Sequence, residues 1–170
     1  MKPLKNPVNE RDHVRGARNP FLTLLEYGDY QCPFCAAAHV KIKVLEREFA
    51  QTLRYSFRHF PLIQIHEHAF LGAMTAEAAG EQDRFWEMHD LLFEAQVLLS
   101  PTMVIDFARA LELDIPRFEH DLRSEKLESK IKQDYMTGVA SGVRGTPTLY
   151  LDNLRYEGPL EPRTFQRLVA

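Results

Sequence analysis

Hydrophobic and polar positions change their spacing near residue 32. Residues 21–27, FLTLLEY, form a nearly continuous apolar run, which is typical of a central strand buried on both faces. A helical pattern follows, in which apolar residues recur at i, i+4, i+7 and i+11. These residues are Ala38, Ile42, Leu45 and Phe49. Because proline suits the first helical position, we expect this helix to begin at Pro33.

The next segments predict a parallel strand and then a long helical region. Apolar and polar residues alternate over 53–58, LRYSFR, which indicates a half-buried strand. Strand, helix and strand in this order form a βαβ unit. Residues 67–143 have helical spacing throughout, and a β-hairpin follows over 148–157 with its turn at Asp152-Asn153.

These elements predict a small α/β fold with an all-helical insertion between its second and third strands. The predicted core comprises residues 20–66 and 144–170, with a short closing helix near the end, and the insertion comprises 67–143. Residues 1–19 are polar and carry two prolines, so we expect a loosely attached N-terminal arm.

Composition narrows the class of protein. The chain has 170 residues, of which 45% are hydrophobic and 26% charged, so it can bury the core of one domain. A net charge of −3, with both signs well mixed, gives no footprint for nucleic acid. Residues 1–20 contain no apolar leader segment, and no run has the length of a membrane span. We therefore expect a cytoplasmic protein without membrane insertion; a leader lost from the N-terminus would make it periplasmic or extracellular.

Candidate chemistry lies in the two cysteines of the chain, Cys32 and Cys35, which flank Pro33-Phe34. At the start of a helix, unpaired N–H groups and the helix dipole favour the Cys32 thiolate as the attacking nucleophile. Cys35 lies nearly one turn further in and is suited to resolve a mixed disulfide. Residues 143–148, VRGTPT, predict a proline loop across the pair. This pattern favours thiol–disulfide exchange.

Two other interpretations of the cysteines remain open. One is that the pair is not catalytic, either as two inert core cysteines or as part of a peptide-binding or redox-sensing module. The other is a zinc site, which normally takes four protein ligands. Because the chain has no second C-x-x-C, histidines such as His39, His59, His66 and His68 would have to complete that site.

Five segments together resemble the DsbA-like branch of the thioredoxin superfamily. They are LEYGDYQCPFC at 25–35, RFWEMHD at 84–90, GVRGTPT at 142–148, RDHVRG at 11–16 and RHFPL at 58–62. The segments at 11–16 and 58–62 are similar to those of the short, leaderless bacterial members of this branch. Similar domains also occur fused behind some bacterial sodium/proton antiporters. The resemblance covers residues 11–160 and implies a thioredoxin fold with a helical insertion. It also implies a Cys32–Cys35 disulfide in the oxidised state.

The resemblance further implies that the Thr146–Pro147 peptide bond is cis. The backbone of Thr146 would then face outward beside Cys32 and pair with an extended substrate chain. The alternative is an ordinary trans proline opening a strand. Pro33 and Phe34, beside the reactive thiol, complete the predicted substrate-binding set.

Glu26 is the third candidate catalytic residue because it lies in an apolar strand six positions before Cys32. A buried carboxylate has a raised pKa and can exchange a proton with a thiol. Similar family members carry an acid at the matching position. The alternative is a strand-end carboxylate that reaches solvent.

Phe34 departs from the best-known family members, which carry histidine there. Because phenylalanine cannot donate a hydrogen bond to a thiolate, strong oxidase behaviour is not expected. The sequence therefore predicts an oxidoreductase that exchanges its Cys32–Cys35 pair with protein or peptide thiols, glutathione or a thioredoxin-type recycling partner. We expect a monomer or weak dimer. No cofactor is required, since the cysteine pair carries the redox equivalent.

Overall fold

A mixed five-stranded sheet organises the protein, whose computed structural model describes residues 3–169. The strands are β1 (His13–Gly16), β2 (Leu22–Gly28), β3 (Leu53–His59), β4 (Thr148–Leu151) and β5 (Leu154–Tyr156). The helices are α1 (Pro33–Glu48), α2 (Ala69–Gly80), α3 (Phe85–Glu94), α4 (Met103–Ala110), α5 (Ile115–Asp121), α6 (Glu125–Ser141) and α7 (Pro162–Leu168), with a short 3₁₀ helix at Gln96–Leu98. The strand order across the sheet is β1-β3-β2-β4-β5. This is the predicted thioredoxin-like architecture with an all-helical insertion.

The βαβ unit forms as the sequence predicts. Strands β2 and β3 are parallel, with Leu24 opposite Tyr55, and α1 connects them. Strand β4 pairs antiparallel with β2 and continues into β5. The hairpin turn uses Asp152 and Asn153, whose φ angles of 46° and 70° suit short polar side chains.

The predicted loosely attached arm is wrong for much of residues 3–19. His13–Gly16 forms the edge strand β1, which pairs antiparallel with β3. The side chain of Arg58 on β3 holds the preceding segment: its Nη1 and Nη2 donate to the carbonyls of Asn6 and Pro7, and it forms an ion pair with Asp12. Because β1 is added before the βαβ unit, the helical insertion lies between the third and fourth strands of the observed sheet.

Strand β3 is also more buried than its alternating pattern predicted. Ser56 and Arg58, on its polar face, are as inaccessible as Tyr55 and Phe57 on its apolar face. The strand lies between β1 and β2 and is covered on both faces, so a polar residue there is not a solvent-facing one. The insertion packs against the turn before α1, where the Tyr30 ring contacts Phe93 at a centroid distance of 4.9 Å.

Candidate active site

Cys32 is the residue that starts α1, and its thiol faces the loop before β4. Its backbone lies in the extended region and Pro33 occupies the first helical turn, as predicted. The Cys32 N–H donates to the Asp29 carbonyl at 3.1 Å. The Cys32 thiol donates to the Thr146 carbonyl at 3.3 Å. The Thr146–Pro147 peptide bond is cis. The fold thus brings together residues that are 114 positions apart in the sequence.

Both thiols are free and both are buried. Cys32 is 3% exposed and Cys35 is 0% exposed, so neither thiol is open to solvent in this structure. The physical reason is the loop containing Thr146, which covers the sulfur. The exposed residues of the motif are instead Pro33 and Phe34, the latter at 73%.

The two thiols have opposite electrostatic environments. The interaction with the Cys35 side chain lowers the pKa of Cys32 to about 5 against the opposing effect of burial. The Thr146 side chain and the backbone N–H groups of Cys35 and Phe34 add to the lowering. Burial raises the pKa of Cys35 well above its usual value, and its hydrogen bond to Cys32 and the charge of Glu26 raise it further. At neutral pH Cys32 is therefore a thiolate and Cys35 a thiol.

Glu26 lies below this pair and does not reach solvent. Its side chain is 0% exposed, and Oε2 accepts a hydrogen bond from the Tyr55 hydroxyl at 2.8 Å. Burial raises the pKa of Glu26 to about 7, whereas hydrogen bonds from Tyr55 and Cys35 oppose the rise and the Cys32 charge adds to it. Gly28 leaves room for the carboxylate, since a Cβ there would lie 2.9 Å from Oε1. A carboxyl group that titrates near neutrality can accept or return a proton.

Asp29 has a larger role than the sequence indicated. Its position in the sequence indicates only a cap for the turn before α1. Its buried carboxylate instead accepts hydrogen bonds from the Gln31 N–H, the Leu62 N–H and His66 Nδ1, each at 2.8 Å. Asp29 therefore fastens the loop after β3 to the turn that carries Cys32.

Gln96 also contacts this turn, although no pattern in the sequence indicates it. Its side-chain amide Nε2 donates to the carbonyls of Tyr30, at 2.8 Å, and Cys32, at 3.0 Å. Gln96 belongs to the 3₁₀ helix of the insertion, 64 positions after Cys32. Only the tertiary fold places these groups together.

Two side-chain clusters bear on the zinc interpretation. His39 lies with His89 and Asp90, and His59 lies with Glu77 and Asp134. Neither of these clusters in the described part of the chain includes a cysteine. Asp90 already pairs with Arg15 and Lys43, and Asp134 with Lys130, so cationic side chains occupy both carboxylates.

The fold and the paired thiols together define a thioredoxin-type protein. The family model described as Thioredoxin matches residues 8–170, and the chain belongs to this family.

Solved structures share the DsbA-like form of this fold. BdbD from Bacillus subtilis superposes with a TM-score of 0.82 at 21% identity, covering 96% of this chain and 95% of that one. The thiol-disulfide exchange protein alpha-DsbA2 from Wolbachia pipientis has a TM-score of 0.81 at 20% identity, covering 95% and 87%. A thioredoxin-like oxidoreductase from Silicibacter pomeroyi has a TM-score of 0.80 at 24% identity, covering 95% and 91%.

Curated relatives of higher sequence identity carry another name. A sodium/proton antiporter, NhaA 3 of Salinispora tropica, is 41% identical over 154 residues, which are 90% of this chain and 24% of the antiporter. NhaA 1 of Mycolicibacterium vanbaalenii is 37% identical over 169 residues, covering 98% and 27%. The chain thus spans about a quarter of the length of these relatives. None of the helices within residues 3–169 has the length and apolar character needed to cross a membrane.

Proposed function

We propose that the protein is a thiol–disulfide oxidoreductase that uses Cys32 as nucleophile and Cys35 as resolving thiol. The observation that carries the proposal is the split between the two thiols. Cys32, at the helix start, has a pKa of about 5, whereas the pKa of its buried neighbour is raised. A non-catalytic module needs no such split, since peptide binding does not require a thiolate.

The proposed reaction proceeds in two exchanges. The Cys32 thiolate attacks a disulfide of the substrate, forms a mixed disulfide and releases one substrate thiolate. Cys35 then loses its proton to the Glu26 carboxylate and attacks the Cys32 sulfur. This step forms the Cys32–Cys35 disulfide and releases the second substrate thiolate. The substrate gains two electrons and the protein loses two; the reverse sequence oxidises a dithiol.

The proposed substrate is an extended protein or peptide segment. No described residue accepts a hydrogen bond from the Thr146 N–H, so this group can pair with a substrate backbone beside Cys32. Pro33, in the first turn of α1, and the exposed Phe34 ring would supply apolar contact to the substrate. Glutathione or a thioredoxin-type protein would restore the starting redox state, without a cofactor. The cytoplasmic location stays a prediction from the sequence.

The lowered pKa of Cys32 favours the direction of exchange in which the protein oxidises its substrate. A thiol with a pKa of about 5 stabilises the reduced protein at pH 7 by at most about 3 kcal/mol. That free energy corresponds to about 60 mV in the oxidising direction, and solvent screening of the thiolate reduces it. We propose that the redox partners and the cellular compartment, rather than the Cys32 pKa alone, set the net direction of disulfide exchange.

Equilibration with a glutathione series tests the proposal. The wild-type protein is expected to interconvert between dithiol and Cys32–Cys35 disulfide with one two-electron transition, and to catalyse reduction or oxidation of a peptide disulfide at many turnovers per molecule. A couple that forms but does not turn over a substrate would favour a redox sensor. Metal content of the reduced, unchelated protein tests the zinc alternative, which requires one bound ion per chain.

Replacing Phe34 by histidine is expected to make the couple more oxidising. A histidine at this exposed position can donate a hydrogen bond to the Cys32 thiolate and, when protonated, attract it. Each tenfold gain in thiolate stability at pH 7 raises the potential by about 30 mV. The glutathione equilibrium should therefore give a higher redox potential, and the thiolate absorbance should give a lower Cys32 pKa in the same variant. Phe34→Leu is the matched control without a donor; a Phe34→His potential that equals that of Phe34→Leu would contradict this explanation.

A further inference from the structure

We infer that Gln96 is a positioning residue by which the helical insertion sets the reactivity of Cys32; the inference rests on the proposed function. Its amide Nε2 bridges two main-chain carbonyls of the active-site turn, those of Tyr30 and Cys32, at 2.8 and 3.0 Å. Among the described residues of α2 to α6 and their connections, Gln96 is the side chain that hydrogen-bonds the main chain of residues 30–32.

The two carbonyls depend on Gln96 to different degrees. The Cys32 carbonyl also accepts from the N–H groups of Cys35 and Ala36, which begin α1. For the carbonyl of the buried Tyr30, Gln96 is the hydrogen-bond donor found within residues 3–169. Buried carbonyls without a donor are rare, so loss of Gln96 should move this carbonyl towards another donor. The turn from Tyr30 to Cys32 would move with it.

Orientation of this turn determines how well the Cys32 thiolate is stabilised. The N–H groups of Phe34 and Cys35 lower the Cys32 pKa only while the sulfur lies over the first turn of α1. The Asp29 carbonyl holds the Cys32 N–H from the core side, and Gln96 holds the Cys32 carbonyl from the insertion side. Removing the second contact leaves the direction of the Cys32 side chain less well fixed, which weakens both N–H interactions.

The Gln96 amide is thus the contact of the insertion with the main chain of this turn, whereas Phe93 and His89 contact the side chain of Tyr30. Val97 and Leu98, which follow Gln96, are both exposed. The 3₁₀ helix therefore has its anchor in Gln96 and not in burial of its apolar side chains.

The deciding variant is Gln96→Leu, which removes the amide without adding charge. Gln96→Glu keeps the shape and loses the donor, but its carboxylate also raises the Cys32 pKa by repulsion. We expect both variants to raise the Cys32 pKa, measured by thiolate absorbance in the reduced protein. At pH 7 a rise of one unit in the Cys32 pKa lowers about tenfold the equilibrium constant with which the protein oxidises a substrate dithiol. The redox potential of the protein then becomes more reducing by about 30 mV. The glutathione equilibrium measures this second effect.

Gln82→Leu is the matched control. Gln82 also makes two hydrogen bonds with main-chain groups, since it donates to the Asp114 carbonyl and accepts from the Asp114 N–H, inside the insertion. It should lower thermal stability without moving the Cys32 pKa. If Gln96→Leu lowers only the melting temperature and leaves the Cys32 pKa unchanged, Gln96 is structural and the inference is wrong. Because the thiolate titration needs no disulfide exchange, this result remains distinct from a failure of the proposed function, in which the wild-type protein itself would not turn over.

Discussion

The Cys35→Ser variant is expected to accumulate stable mixed disulfides with substrate thiols, and the Cys32→Ser variant is expected to accumulate none. Without Cys35 no thiol can attack the Cys32–substrate bond, so the first exchange occurs and the second does not. Without Cys32 the remaining thiol is Cys35, which is buried and has a raised pKa, so it stays protonated at neutral pH. Both variants should lose essentially all multiple-turnover activity.

The same experiment separates the resolving role of Cys35 from its effect on the Cys32 pKa. The hydrogen bond from Cys35 is the largest cause of the low pKa of Cys32. Serine keeps a donor at this position, whereas Cys35→Ala removes it. Both variants should trap substrate, but Cys35→Ala should do so more slowly below pH 7 because its Cys32 pKa is higher.

Non-reducing electrophoresis and intact mass after acid quenching measure the trapped species. The expected mass is that of one protein plus one substrate thiol, and reductant should release the substrate. Equal trapping by Cys32→Ser and Cys35→Ser would contradict the assignment of Cys32 as the nucleophile. Trapping by Cys32→Ser alone would reverse the two roles.

The Glu26→Gln variant should exchange disulfides more slowly and yet be more stable than the wild-type protein in alkaline solution. Glutamine keeps the volume and can still accept the hydrogen bond from Tyr55, but it cannot take a proton from Cys35. Positioned general bases typically contribute about 10²- to 10⁴-fold, so we expect the resolving step to slow by at least about tenfold. The pH–rate profile should lose its inflection near pH 7, the pKa of Glu26.

The stability effect follows from the raised pKa of Glu26. In the folded protein this pKa is about 7, against an ordinary value of 4.5. Between these pH values the folded protein keeps a proton that the unfolded chain has released, so the free energy of unfolding falls as pH rises from about 4.5 to about 7. The total loss is about 3 kcal/mol and is complete above pH 7. Glutamine has no charge to bury, so the variant avoids this loss.

Urea unfolding of the reduced proteins at pH 5 and pH 8 measures this difference. The two proteins should have nearly equal stability at pH 5, and Glu26→Gln should gain up to about 3 kcal/mol at pH 8. The titration of Cys32 contributes to both proteins and largely cancels in the comparison. Tyr55→Phe is a matched control for the kinetics, since it removes the hydrogen bond that lowers the Glu26 pKa and should move the inflection to higher pH. A stability gain with an unchanged pH–rate profile would show a buried carboxylate that takes no part in proton transfer.

The fold explains why these two experiments should give such different signatures. Cys32 acts at the start of α1, where an uncharged donor set stabilises its thiolate. Glu26 acts from the interior, where burial opposes its charge. Hydrogen bonds therefore lower the pKa of Cys32, whereas desolvation raises the pKa of Glu26.

Secondary-structure elements with a local sequence pattern can be predicted from the sequence alone. The apolar run of β2, the helical spacing after Pro33 and the Asp152-Asn153 turn each contain enough periodicity or turn chemistry within a few residues to predict their structure. The position of Cys32 at a helix start follows from the same local signals.

Contacts between residues that are distant in the sequence depend on how the whole chain packs and are seen only in the tertiary structure. The four residues of β1 are too few to show a periodic pattern, and their pairing depends on the exposed edge of β3. The polar side chain of Arg58 is buried because Asp12 and two backbone carbonyls surround it, a compensation that no spacing along the chain reveals. The covering of Cys32 by Thr146 and the anchoring of its carbonyl by Gln96 join residues 114 and 64 positions apart. Hydrogen bonds of this kind depend on three-dimensional packing, since their donors and acceptors are common groups that become specific only where the fold removes competing water.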